Sequence, residues 1–124
     1  PDTRITAVTL LTSLSPETIA ALGISGEPID IVSRWAKLAV GAGARAIVCS
    51  PQEVAAVRAV VSPDIVLITP GVRPAGSELG DQQRVATPKA ALAAGADLLV
   101  IGRPITAADN PLAAALSIAE EISA

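Results

Sequence analysis

Four short apolar runs constrain this chain more than any other feature: "ITAVTLL" (5–11), "AIVCS" (46–50), "DIVLIT" (64–69) and "DLLVIG" (97–102). Each is only a handful of residues, rich in Val, Ile and Leu. Their apolarity is continuous rather than alternating, which suits strands buried on both faces of a parallel sheet. Parallel neighbours require a crossover between them, normally a right-handed one through a helix.

The intervening segments carry helix signals. "SPETIAALG" (15–23) has Ser15 as N-cap, Pro16 at the first helical position and Gly23 as a stop. "PIDIVSRWAKLAVGAG" (28–43) places Ile31, Val32, Trp35, Leu38 and Ala39 on one face and Arg34 and Lys37 on the other. "SPQEVAAVRAVV" (50–61) repeats the Ser-Pro start, with Glu53 in the first turn. "TPKAALAAG" (87–95) opens on Thr87-Pro88, and "NPLAAALSIAEEIS" (110–123) on Asn110-Pro111. "GAGARAIVCS" and "AAGADLLVIG" share one design, a helix, a glycine stop and a buried strand. The expectation is an α/β domain over 1–124, made of four consecutive βα units with parallel strands. Two architectures fit: a small doubly wound open sheet, or half of a (βα)8 TIM barrel, which typically needs about 250 residues.

Composition removes several functions. The chain is 51% hydrophobic, so a real core is expected and disorder is not. It has no His, which excludes a Ser-His-Asp triad and His-based zinc sites. Its single Cys, Cys49, rules out an internal disulfide or a cysteine metal cluster and is expected to be a small buried residue. That usage, with no secretory signal, fits a cytoplasmic setting. The net charge is −3 and the basic residues are scattered, so nucleic acid is not an expected partner. No apolar run approaches the roughly 18 residues of a membrane span. The chain begins "PDTRITAVTLL", without an initiator Met, and either processing, trimming or a start inside a longer protein would explain that.

In both architectures function sits at the C-terminal ends of the strands. There the sequence places "TSLS" (12–15), "SPQE" (50–53), the long stretch "PGVRPAGSELGDQQRVATP" (70–88) and "GRPIT" (102–106). Gly102 lets a ligand approach the backbone, Pro104 can open a short helix, and Arg103 is a bidentate donor suited to phosphate. In the long loop, Gly71, Gly76 and Gly80 permit turns, while Arg73 and Gln82 can grip a polar ligand as the loop closes. Thr12 and Ser13 have two open uses, a ligand hydrogen bond or a helix cap, with Ser15 the better cap. Trp35 reads as a packing or interface residue. Asp81 and Arg84 can pair within the loop, to little energetic effect. Lysines stand only at 37 and 89, both on predicted helices away from the strand ends. Such a chain is equipped to bind a phosphorylated ligand rather than to transform it.

These same residues carry a resemblance. "AVTLLTS", "IVCSPQE", "LITPGVRPAGSELGDQQRVATPKAALAAGADLLVIGRPIT" and "DNPLAAALSI" resemble, in order, the second half of bacterial orotidine 5′-phosphate decarboxylases. The resemblance implies a (βα)8 barrel, a homodimer, and conversion of orotidine monophosphate (OMP) to UMP and CO2 without metal or organic cofactor. It implies substrate contact at Thr12, phosphate binding and loop closure by Arg73 and Gln82, and a phosphate turn at Gly102 and Arg103. It also exposes a departure. The family's Lys/Asp array, including an Asp-x-Lys-x-x-Asp stretch, opposes the substrate carboxylate and protonates the carbanion; none of it occurs here. The resemblance therefore implies the binding half alone, with no catalytic residue, inactive by itself, and with either a homodimer or the missing N-terminal half as partner. Two other readings remain: a non-catalytic half-barrel assembly module, and another phosphosugar-binding α/β protein.

Overall fold

The computed structural model describes residues 2–77 and 85–124. Four strands, β1 (Thr6–Val8), β2 (Ala46–Val48), β3 (Val66–Thr69) and β4 (Leu98–Leu99), form one sheet in the order β1-β2-β3-β4. Every pairing is parallel, and the register aligns Val8, Val48, Ile68 and Leu98 in a single row. Sequential order without reversal decides between the two expected architectures. A doubly wound sheet reverses its strand order at a switch point, whereas a barrel adds each strand beside the last. The chain is an arc of a (βα)8 barrel.

The strands are joined by helices α1 (Pro16–Ala21), α2 (Pro28–Gly41), α3 (Val54–Val60), α4 (Pro88–Ala93), α5 (Arg103–Thr106) and α6 (Pro111–Ser123). Three of the expected caps form: Ser15, Thr87 and Asn110 accept bonds from the amides of Thr18, Ala90 and Ala113. Each such cap contributes about 1 kcal/mol. The glycine stops form as well. After α2, Gly43 takes φ 106, with the Ala44 amide bonded to the Ala39 carbonyl; after α4, Gly95 takes φ 110, with Ala96 bonded to Ala91 in the same way. These are equivalent Schellman turns, which need a left-handed residue that glycine supplies without strain. The likeness of the two sequence stretches is thus a likeness of backbone.

The core lies between the sheet and the helices. Ile31 and Val32 of α2, Ile47 of β2, Val54 and Val57 of α3, Leu67 of β3 and Ala91 of α4 are essentially inaccessible, as is Cys49. Burial of each large aliphatic side chain contributes about 1.5–3 kcal/mol relative to exposure. Trp35 packs against this cluster from α2.

Three local expectations are corrected. The helix after β2 starts at Val54 rather than at Ser50-Pro51, and the Ser50 hydroxyl donates to the Glu53 carboxylate instead of capping the helix. Leu38 is 67% exposed, because α2 turns Ala36 and not Leu38 toward the sheet. Burial on both faces holds only for part of the sheet: Val8, Leu98 and Val100 are at least half exposed. They lie on the concave face of the arc, where an eight-stranded barrel would place its interior.

Candidate functional site at the strand ends

Strand direction brings Thr12, Arg73, Gly102 and Arg103 to one end of the sheet, following β1, β3 and β4. Gln82 lies outside the described residues, as do Gly80, Asp81 and Arg84.

Arg73 is the most constrained of them. The residues after β3 leave the sheet through Gly71, whose φ of 74 requires glycine. Val72 then pairs with Ala86 in an isolated parallel bridge, and the Arg73 amide donates to the Ala86 carbonyl at 2.9 Å. The two ends of the long loop are therefore tied together at their base. A turn at Pro74–Ser77, closed by a 3.1 Å bond and carrying Gly76 at φ 81, directs the chain onward. Arg73 itself is only 7% exposed, and its Nη1 donates to the Val72 carbonyl at 2.9 Å. Among the described residues no carboxylate forms an ion pair with it. A buried guanidinium of this kind favours an anionic partner.

Gly102 caps the short helix α5, with Pro104 in its first turn. Its backbone stands at φ −105 and ψ −96, outside the ordinary helical and extended regions. A Cβ there would meet no heavy atom of the described residues within 4 Å. The missing side chain leaves the backbone of this turn open to a close neighbour. Arg103 follows it and is exposed.

Thr12 is 7% exposed, and Ser15 rather than Thr12 caps α1. Nearby, the Thr9 hydroxyl donates to the Val48 carbonyl at 2.7 Å, joining the ends of β1 and β2. At the end of β2, Ser50 and Glu53 form a fully buried polar pair, with the Glu53 carboxylate at the N-terminus of α3, where negative charge is favoured. Sequence reasoning read this pair as a helix start with Glu53 in its first turn, not as a buried hydrogen-bonded pair. It also passed over Thr69, whose sole signal is a hydroxyl closing an otherwise aliphatic strand. No group of His, Cys, Asp and Glu able to hold a metal occurs among the described residues. Among them, too, no helix is long and apolar enough to cross a membrane.

The orotidine 5′-phosphate decarboxylase / HUMPS family model matches residues 2–118. The orotidine 5′-phosphate decarboxylase of Thermobifida fusca (strain YX) is 66% identical over 122 residues, covering 98% of this chain and 52% of that protein. That of Frankia casuarinae is 56% identical over 124 residues, covering all of this chain and 45% of its own. Among solved structures, the orotidine 5′-phosphate decarboxylase from Lactobacillus acidophilus superposes with a TM-score of 0.77 at 36% identity, over 98% of this chain and 50% of its own. The chain spans about half the length of the curated relatives it matches. Continuous similarity through both strand-end turns and the loop between them means that the chain belongs to the orotidine 5′-phosphate decarboxylase / HUMPS family.

Proposed function

We propose that this chain holds the phosphate of OMP and UMP, and that the whole protein decarboxylates OMP to UMP and CO2. The observation that carries the reading is Arg73, a buried cation at the end of β3 with no carboxylate partner among the described residues. Arg73 and Gln82 grip the phosphate from the loop. Gly102 lets the phosphate reach the backbone of α5, where Arg103 adds a charged donor. Thr12 contacts the nucleotide from the end of β1. Loop closure uses binding energy remote from the reacting carbon to assist the chemical step.

Decarboxylation breaks the bond to the carboxylate, leaves its electron pair on the pyrimidine ring carbon, and ends when that carbon takes a proton. Neither of this chain's two lysines stands at a strand end to supply that proton. Lys37 is exposed on α2, and Lys89 on α4 donates to the Ala124 carbonyl at 3.1 Å. The chain alone therefore binds and does not turn over, and the proposal needs no metal or organic cofactor. A cytoplasmic setting suits its single, buried thiol.

The test is calorimetry of the purified chain with UMP, ribose 5-phosphate and inorganic phosphate, beside an assay for UMP formed from OMP. Preference for UMP, with no turnover, is expected. Equal affinity for all three would favour a general phosphosugar-binding protein, and UMP formation would overturn the binding-only assignment.

A second reading concerns assembly and rests on the concave face. Val8, Leu98 and Val100 are exposed there, and β1 and β4 are open edges. A largely apolar groove beside β4 is lined by Leu92, Leu98, Leu99, Ile101, Ile105 and Ile122, with Asp97 among them. We propose that the remaining half of a barrel, or a second copy of the chain, covers this surface. Light scattering should show association; a stable monomer over a wide concentration range would remove the proposal.

A further inference from the structure

The hydroxyl of Thr69 is fully buried and, among the described residues, has no hydrogen-bond partner. Buried hydroxyls are nearly always bonded, so an orphan calls for a reason. The backbone around it is firmly held: the Val100 amide donates to the Thr69 carbonyl at 2.9 Å, and Thr69 pairs in register with Leu99. Valine, nearly the same shape, would fill this position with nothing left unsatisfied, and β3 uses Val, Leu and Ile at its other positions. Thr9, also at a strand end, makes the contrast clear, since its hydroxyl is satisfied by the Val48 carbonyl.

The location of the orphan suggests its use. Thr69 is the last residue of β3, two before Gly71 with its φ of 74, and four before Arg73. A threonine hydroxyl readily accepts from an amide two or three residues further on. Here those are the amides of Gly71 and Val72, both residues being buried. The next amide, that of Arg73, is already committed to the Ala86 carbonyl. We infer that Thr69 is a positioning residue for Arg73. Its hydroxyl accepts a hydrogen bond from the Gly71–Val72 turn when the loop grips an anion, and so sets where the guanidinium stands. This rests on the phosphate-binding reading of the loop. Thr69 touches no ligand in this scheme; it acts through the backbone that carries Arg73.

The experiment compares Thr69→Val and Thr69→Ser with the unchanged chain. It measures UMP affinity by calorimetry, amide exchange at Gly71 and Val72 with UMP saturating, and thermal unfolding. Thr69→Val should unfold at the same temperature or higher, because it removes an unsatisfied buried group. It should bind UMP about tenfold more weakly and exchange the two amides about threefold faster. Thr69→Ser, which keeps the hydroxyl, should stay close to the unchanged chain in both. Unchanged affinity and exchange in Thr69→Val would overturn the inference alone, as would loss of its folded state, which would make the hydroxyl a core requirement. Failure of the unchanged chain to bind UMP, ribose 5-phosphate or inorganic phosphate would overturn the phosphate reading, and this inference with it.

Discussion

Arg58 and Arg73 stand at opposite ends of the same sheet and differ in what they hold. Arg58, on α3, reaches the N-terminal ends of β3 and β4. Its guanidinium donates to the Ile65 carbonyl at 3.0 Å, the Gly95 carbonyl at 3.1 Å and the Asp97 carboxylate at 2.5 Å. Asp97 in turn accepts from the Leu67 amide at 2.7 Å. Every contact is internal, and together they set the register of β3 against β4. Arg73, at the C-terminal end, is more buried yet has one described bond, to its neighbour's carbonyl. The glycines follow the same division. Gly95 is favoured by its φ of 110 and crowded by Arg58, whose Cγ would lie 3.3 Å from an added Cβ; an added Cβ at Gly102 would meet no heavy atom of the described residues within 4 Å. One end of the sheet is occupied with holding itself together; at the other, Arg73 is buried with no carboxylate ion pair among the described residues. That division is general in barrels of this kind.

The largest expected effects come from removing each arginine. Arg73→Ala should weaken UMP binding roughly 100-fold, while its unfolding midpoint in urea stays close to that of the unchanged chain. Arg58→Ala should do the reverse. It leaves two carbonyls and Asp97 without their donor, at a cost of about 2 kcal/mol, discounted already for the partial exposure of the ion pair. Its folded fraction should bind UMP normally. Equal losses of binding and stability in both variants would erase the distinction between the two ends.

The glycine pair sharpens the same contrast at smaller scale. Gly95→Ala should destabilise by about 1–2 kcal/mol in denaturant titrations, because alanine tolerates positive φ poorly and crowds Arg58. Gly102→Ala should cost less stability than Gly95→Ala, since its added Cβ meets no neighbour among the described residues. It should lower UMP affinity about tenfold by intruding where the ligand approaches. A Gly102→Ala chain that binds UMP at full strength would remove this glycine from the site.

The smallest effect is electrostatic and lies at the N-terminal end. The Asp64 carboxyl is held below the usual aspartate range, first by the Ser62 hydroxyl, then by its own backbone bond and, further off, by Arg45 and Arg4. A depressed folded-state value means that the carboxylate's contribution is present above the unfolded value and is lost as pH falls through the folded one. Asp64 is fully exposed, so the contribution is small. Carboxyl titration by NMR should show Asp64 moving up toward its ordinary value in Ser62→Ala, with no change in UMP binding at neutral pH. A binding change there would mean that the two ends are coupled.

How much of this was legible in the sequence differs with the reach of the interaction. Helix starts at Ser15, Thr87 and Asn110 were readable because a cap bonds an amide three residues away. The Ser50-Pro51 start was misread by the same rule, because Glu53, buried beside it, took the serine hydroxyl. The outward turn of Leu38 was missed because helical periodicity identifies an apolar stripe but not where the sheet cuts across it. The Arg58 knot joins residues as many as 39 positions apart, and no local pattern announces it. Of the candidate site, Arg73, Gly102 and Arg103 were proposed from glycine and arginine chemistry at strand ends, whereas Thr69 draws notice only once its burial without a partner among the described residues is seen.

The sequence by itself determined the succession of strands and helices, the polar ends of the strands, and the absence of lysine from those ends. Those properties depend on periodicity, caps, turn residues and composition, all of which act over a few residues. Only the tertiary structure decided that the strands lie in sequential order as a barrel arc, with an apolar concave face left open. Only it separated a sheet end where arginine is fully engaged from one where arginine is buried and still lacks a carboxylate among the described residues. Strand order and the burial of charge both arise from contacts between distant segments, whose desolvation depends on what the fold places around each group.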